Sequence, residues 1–368
     1  MEINENNIKE ALSKVVEPDL KKDIIELNLV SDIVIKEGSI SLKVQVSNPA
    51  LHSRKRMQEA CEFALERAFG KEVSVDVDVI PIAGDSGNAN LRKVLPGVKN
   101  IIAVASGKGG VGKSTVAANL AAGLAKQGYS VGMIDADVYG PSMPTMFDVV
   151  NEKPDVVEVE GKQYLKPVES YGVKMLSLGF FADSTQAIVW RGPMATKALN
   201  QLINDAWWGD LDFMILDLPP GTGDVHLTIV QALPLTGAVI VSTPQEVALA
   251  DARKGVNMFQ MPNINVPVLG IIENMAWFTP EELPDNKYFI FGKDGAARLA
   301  DQLNVPLLGQ LPLIQSIRES GDVGRPAILQ DGTVSHEAIN GIISNFVKEV
   351  EKRNTTLPPT ETVKITTS

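Results

Sequence analysis

Residues 101–115 read IIAVASGKGGVGKST, and helix-favouring residues, VAANLAAGLAK, follow to position 126. An unbroken apolar run of this kind is a strand covered on both faces, as in a parallel sheet. The glycines that interrupt it force a tight loop, and the Ala/Leu-rich stretch after it reads as a helix from Lys113 to about Lys126. A strand buried on both faces needs neighbours at both edges and helices above and below. Strand, loop and helix in this order therefore commit the chain to a layered α/β fold. Within the loop, Gly107 to Ser114 fits the phosphate-cradling pattern G-x-x-x-x-G-K-S. Gly107, Gly109, Gly110 and Gly112 let the backbone curl and aim its N–H groups at phosphate oxygens, with Val111 between them. The helix N-terminus adds a favourable dipole. Lys113 is placed to reach β- and γ-phosphates, and the Ser114 hydroxyl to ligate Mg²⁺.

Similar apolar runs recur at 130–137, 212–220, 237–244, 268–275 and 305–312, mostly separated by helical patterns. The alternation predicts a P-loop domain with a mostly parallel, doubly wound sheet over residues 98–354. Before it, residues 1–82 predict a small α+β domain. Helical spacing at 6–16 is followed by a hairpin at 32–46 around Glu37-Gly38, an amphipathic helix at 53–69 and a strand at 73–80. A polar, Gly-containing linker spans 83–97, and 355–368 is a polar tail.

Two acidic motifs stand at the ends of later strands, where α/β sheets hold their ligands. They are DADVYGPS at 135–142 and DLPPGTGD at 217–224. Carboxylates there can orient water or hold Mg²⁺, and the glycines after Asp217 let backbone N–H groups answer to a γ-phosphate. The net charge of −11 argues against nucleic acid as a partner. No apolar run is long enough to span a bilayer, and MEINENNIKE has none of the character of a secretory leader. These features predict a cytoplasmic protein with no membrane partner. The single cysteine, Cys61, rules out a disulfide within the chain and sits mid-helix as a small core residue. His52, His226 and His336 are scattered without ligand spacing.

The second lysine of GKGGVGKS, Lys108, resembles the deviant phosphate loop of the MinD/ParA/nitrogenase-iron-protein class. The resemblance implies an ATP-dependent homodimer in which Lys108 reaches the phosphates of the partner subunit, with the logic of an arginine finger. DADVYGPS, WRGPM at 190–194, ILDLPPGTGD at 215–224, STPQEVALAD at 242–251 and ENM at 273–275 are similar to the Mrp/ApbC branch of that class. Members of that branch are iron–sulfur cluster carriers with ATPase activity that serve apoprotein clients. EPDLKKDIIELNLV at 17–30 resembles the small domain fused to many of them, which also occurs alone in iron–sulfur assembly factors. Carried over, Gly107 to Ser114 hold the ATP phosphates, with Thr115 beside the α-phosphate. Asp137 orients the attacking water, Asp135 and Asp217 support Mg²⁺ and the switch segments, and Asn274 meets the adenine edge. Asn274 is followed by Met-Ala-Trp rather than by a guanine-reading N-K-x-D pattern, which favours ATP.

The chain departs from the branch in its cysteines. The family's C-x-x-C pair falls shortly after ENM, but residues 273–292 here read ENMAWFTPEELPDNKYFIFG, without cysteine. NPALHS at 48–53 also lacks the cysteine often found there. A cluster takes four thiolates, whereas a dimer of this chain brings two, both Cys61. Glu281, Glu282 and Asp285 offer hard oxygens and read as a solvated acidic loop. Three accounts stay open: a carrier whose cluster ligands come from a partner or a small thiol, an ATP-driven scaffold or regulator of cluster assembly that does not touch iron, and, as the third, a MinD- or ParA-like positioning ATPase that binds no cluster. The third is disfavoured by a final helix poor in cations and by the acidity of the chain.

Overall fold

A computed structural model describes residues 3–17, 22–36, 39–46, 51–70, 73–81, 94–137, 140–159, 161–181, 192–280, 282–283 and 285–360. The chain divides into two units, Met1–Leu91 and Arg92–Ser368. Most of the expected linker, residues 83–93, lies outside the described residues, as do Arg191 and Trp190 of WRGPM, Val138 and Tyr139, and the tail from Glu361.

The first unit is built from α1 (Glu5–Leu12), β1 (Val30–Lys36), β2 (Ser39–Val46), α2 (Leu51–Phe69) and β3 (Ser74–Pro81). β1 and β2 pair antiparallel, and β2 and β3 pair parallel, so the sheet runs β1-β2-β3. Parallel neighbours cannot be joined by a tight turn, and α2 supplies the crossover. Alternate residues of β2, namely Ile40, Leu42, Val44 and Val46, point into the core. Met57, Cys61 and Leu65 of α2, spaced four apart, meet them there. The helix expected over 6–16 ends at Leu12: the Ser13 N–H makes the last helical bond, to Lys9 O at 2.9 Å, and Val15 N then closes a tighter turn on Leu12 O at 2.9 Å.

The second unit comprises β4 (Val98–Ala105), α3 (Lys113–Lys126), β5 (Val131–Asp135), α4 (Met143–Met146), β6 (Asp155–Val159), β7 (Lys162–Lys166), β8 (Val168–Ser170) and β9 (Val173–Ser177). It continues with α5 (Gly192–Asn204), β10 (Leu211–Asp217), α6 (Asp224–Ala232), β11 (Gly237–Ser242), α7 (Glu246–Gln260), β12 (Val268–Glu273), α8 (Gly295–Leu303), β13 (Leu307–Gln310), α9 (Gln315–Asp322) and α10 (Val334–Thr356). Eight strands form one sheet in the order β13-β12-β11-β4-β10-β5-β9-β8, parallel except where β8 turns antiparallel against β9. This is the mostly parallel, doubly wound sheet that the apolar runs predict. β4, the strand that feeds the phosphate loop, lies between β10 and β11. The strands of 168–177 and the β6–β7 hairpin are additions that the rhythm of buried runs does not reveal.

The pleat of β4 divides the interior in two. Ile101, Ala103 and Ala105 join the core formed with α5 to α8, including Leu202, Val230, Phe259 and Leu299. Ile102 and Val104 face the opposite core, with Leu120 and Leu124 of α3 and Ile343 and Phe346 of α10. α10 starts at an N-cap, where the Thr333 hydroxyl accepts from His336 N at 3.1 Å. It runs two residues into the segment read as tail. Near its end, Asn354 Nδ2 donates to Asn100 Oδ1 in β4 at 2.8 Å.

Phe346 is fully buried, and its ring centroid lies 5.9 Å from that of Phe213. Phe346→Ala should lower stability of the second unit by about 3–5 kcal/mol in chemical denaturation. Phe63→Ala, at a side chain 66% exposed, should change stability by no more than about 0.5 kcal/mol.

Candidate active site

The phosphate loop spans the end of β4 and the start of α3, and its shape is enforced by its neighbours. A Cβ at Gly107 would collide with the backbone of Asp251 and Ala252 at α7. Gly112 takes a φ of +81°, and a Cβ there would strike the Asn274 amide. Ser106 Oγ donates to Lys108 O at 3.0 Å, fixing the turn from within. Gly109, Gly110 and the Lys108 side chain are exposed, whereas Val111 and Lys113 are buried. No described carboxylate pairs with Lys108. Thr115 follows in the first turn of α3, where its carbonyl accepts from Asn119 Nδ2 at 2.8 Å.

At the floor of the loop, Lys113 Nζ donates to Asp217 Oδ1 at 2.6 Å and Ser114 Oγ donates to Asp217 Oδ2 at 2.6 Å. Lys113 is 6% exposed and Asp217 fully buried. Asp217 is the last residue of β10, pinned beside β4 by parallel pairing with Val104. Asp137 Oδ2 stands 3.8 Å from Lys113 Nζ, at the rim. The structure thus gathers Lys113, Ser114, Asp137 and Asp217 around one point, although more than 100 positions separate the first from the last.

Asp135, at the end of β5, is also close, but its oxygens are turned to the protein. Oδ2 accepts from Met143 N at 3.1 Å and Ser177 Oγ at 2.9 Å, and Oδ1 from Asp137 N at 3.3 Å. It holds the 135–143 segment that carries Asp137. Burial, and then the nearby Asp217 charge, push its carboxyl well above the usual range. Burial raises Asp217 too, opposed by the Lys113 charge and by the hydrogen bonds from Lys113 and Ser114.

Asn274 follows β12 and places its amide against the loop, where Nδ2 donates to Val111 O at 2.8 Å. Glu273, just before it, accepts from Ala296 N at the start of α8 and from Gln310 Nε2 at 2.7 Å. The excursion between β12 and α8 is therefore fastened at both roots. Within it, Phe278 and Tyr288 exchange reciprocal backbone bonds of 2.9 and 2.8 Å. The segment exposes Leu283, Tyr288, Phe289 and Ile290 together with Glu282 and Asp285, while Glu281 lies outside the described residues. Sequence reasoning did not find Ser177, Ser106, Glu273 or Gln310. Each acts through a hydrogen bond that only the folded chain creates. His226 is buried in the core, and His336 Nδ1 meets Ile328 O at 2.7 Å. The His52 side chain lies outside the described residues.

No group of three or more His, Cys, Asp or Glu that could hold a metal occurs among the described residues. Cys61 is fully buried, and desolvation pushes its thiol up to about 12. Among the described residues no helix is long and apolar enough to cross a membrane.

Residues 97–350 match the family described as NUBPL iron-transfer P-loop NTPase, and residues 5–79 match one described as iron-sulfur cluster assembly protein. The chain is 43% identical over 340 residues to an iron-sulfur cluster carrier protein of Synechocystis, covering 92% of this chain and 96% of that one. It is 40% identical over 355 residues to the iron-sulfur cluster carrier protein of Haemophilus influenzae, covering 96% and 92%. A solved nucleotide-binding protein from Archaeoglobus fulgidus, in complex with ADP, superposes with a TM-score of 0.56 at 36% identity, over 66% of this chain and 93% of that one.

A thiol held near 12 is ionised at pH 8 to about one part in ten thousand, and its burial shuts out reagents. A thiol-specific chromogenic reagent at pH 8 should therefore titrate nothing in the native protein. In guanidinium chloride it should titrate one thiol per chain.

Proposed function

The chain belongs to the NUBPL iron-transfer P-loop NTPase family, and from that premise we propose that it is an ATP-hydrolysing, cytoplasmic homodimer that carries or assembles iron–sulfur clusters for apoprotein clients. The observation that carries the ATPase reading is the buried set of Lys113, Ser114 and Asp217 beneath a glycine loop whose other lysine, Lys108, is exposed. The names of the relatives favour the carrier over a positioning ATPase.

In this reading the backbone N–H groups from Gly107 to Ser114 receive the phosphates, and Lys113 exchanges Asp217 for β- and γ-oxygens. Thr115 lies beside the α-phosphate. Mg²⁺ fits the Ser114 hydroxyl and the Asp217 carboxylate, two hard oxygen donors already 2.6 Å apart. The metal supplies charge neutralisation at the phosphate oxygens. Asp137 orients the attacking water, and Asp135 supports it by holding its segment. Asn274 has its Nδ2 on Val111 O, which leaves Oδ1 to accept from the exocyclic amine of adenine. Lys108, free of carboxylates among the described residues, is available to the phosphates of a partner subunit.

The cluster is cargo, and this chain brings to it one buried cysteine. We place the thiolate ligands outside the chain, on the client or on a low-molecular-mass thiol, with this protein supplying the ATP-driven conformational work.

Lys113→Ala should abolish ATP binding measured by calorimetry. Lys108→Ala should keep binding and slow hydrolysis by roughly 10³-fold or more, the scale of an arginine finger. Mixing the two variants should restore part of the activity, since one site of a mixed dimer pairs an intact Lys113 with Lys108 from the other subunit. No recovery at any mixing ratio would refute action in trans.

Anaerobic reconstitution with iron and sulfide addresses the cargo. The protein alone should retain no stoichiometric cluster, and addition of glutathione or an apo-client should allow one to form. About four irons per dimer without added thiol, persisting in Cys61→Ser, would overturn the external-ligand reading.

A further inference from the structure

The loop Leu218–Gly223 joins Asp217 to α6 and lies against the phosphate loop. Leu218 N donates to Val104 O at 3.0 Å, and Gly221 N donates to Ser106 O at 2.8 Å. Pro220 Cγ lies 3.9 Å from where a Cβ on Gly109 would be. Between these anchors stands Pro219. Its ring fixes φ, and the ring of Pro220 after it confines ψ to the extended region, so a bond to its carbonyl selects a setting within that narrow range. Pro220 has no N–H with which to help. Together with the two backbone anchors, the orientation of the Pro219 carbonyl bears on how Pro220 meets Gly109.

The group that holds this carbonyl is the imidazole of His226, in the first turn of α6. His226 is 1% exposed. Its Nε2 is buried without a hydrogen-bond partner among the described residues. A carbonyl only accepts, so the bond to Pro219 requires a protonated nitrogen, and Nδ1 is the one available. A second proton on Nε2 would be a buried, unpaired donor on a cation that also feels the charge of Lys113. Burial first, and then Lys113, hold the ring neutral. The tautomer is thereby fixed as Nδ1–H. Nothing in the ATPase reading uses this residue, and an orphaned buried nitrogen beside a nucleotide site calls for a reason.

We propose that His226 is a positioning residue for ATP hydrolysis: its Nδ1–H clamps the Pro219 carbonyl and so sets the 218–223 loop against the phosphate loop. The claim rests on the ATPase reading above. It differs from a structural role in being local to one donor atom. An asparagine amide can place its nitrogen where Nδ1 stands, whereas a glutamine amide reaches the position of Nε2.

The test measures kcat, KM for ATP and ADP affinity for wild type, His226→Leu, His226→Asn and His226→Gln. His226→Leu should lose at least tenfold in kcat while its ADP affinity stays within about threefold of wild type. His226→Asn should recover kcat to within about threefold, and His226→Gln should remain near the leucine variant. Unchanged kcat in His226→Leu would overturn the proposal. So would rescue by glutamine and not asparagine, or loss of ADP binding in parallel with kcat in all three variants. A wild-type protein that binds ADP but never hydrolyses ATP would instead defeat the ATPase reading itself.

Discussion

The ion pair between Lys113 and Asp217 is the interaction around which the second unit is arranged. Two opposite charges that are this deeply buried are stable together and costly apart, since removing either strands the other in a medium that solvates charge poorly. Keeping them 2.6 Å apart requires β10 to end beside β4 and α3 to begin where it does. The parallel pairing of Asp217 with Val104 and the glycine-bounded loop deliver these placements. Asp217 also takes the Ser114 hydroxyl, so both of its oxygens are engaged. A triphosphate with its metal offers each of these groups an equivalent partner. Charges that neutralise one another in the protein can thus be exchanged for ligand contacts without leaving a bare charge.

Around this pair stands a layer of positioning contacts. Ser177 holds Asp135, which holds the amide of Asp137 and the start of α4. Asn274 holds the carbonyl of Val111, and the preceding residue, Glu273, fastens the first turn of α8. Asp137, expected at the nucleotide, is thus backed through Asp135 by Ser177, a residue that the sequence assigned no role. The excursion after β12 is tied to the phosphate loop at one root and to α8 at the other.

What could be read from the sequence follows from how local each feature is. The phosphate loop and α3 are contiguous, so residues 101–126 announce strand, loop and helix together. The buried strands are visible because a strand covered on both faces leaves an unbroken apolar run. β9 escaped because VKMLS is short and mixed, and because the β6–β7 hairpin interrupts the alternation of strand and helix before it. Asp135 was legible as a strand-end carboxylate, but not as a residue whose oxygens face Met143 and Ser177. The latter is 42 positions away and carries no pattern of its own. Asn274 stood out only through the resemblance carried by ENM, which implies a place for it at the adenine edge. Its bond to Val111, 163 positions away, depends on a sheet order in which only β11 separates β12 from β4. Helix α1 stopped short of its periodic pattern because the chain tightens after Leu12 into a turn, and the Val15 carbonyl is then taken by Ile24 N.

The hydrogen bond between Asn100 and Asn354 has a topological meaning. It brings the first strand of the second unit and the last turn of its final helix to the same pole, the one at which β4 begins. The phosphate loop lies at the other end of that eight-residue strand, roughly 25 Å away. The unit is therefore almost a closed ring of chain, sealed on the side remote from its chemistry. A short bridge across the two asparagines, with new ends cut in an exposed turn such as that between β6 and β7, would give a circular permutant with the same sheet and the same site. Evolution has the same freedom to append or exchange segments at that pole while the nucleotide side stays unchanged.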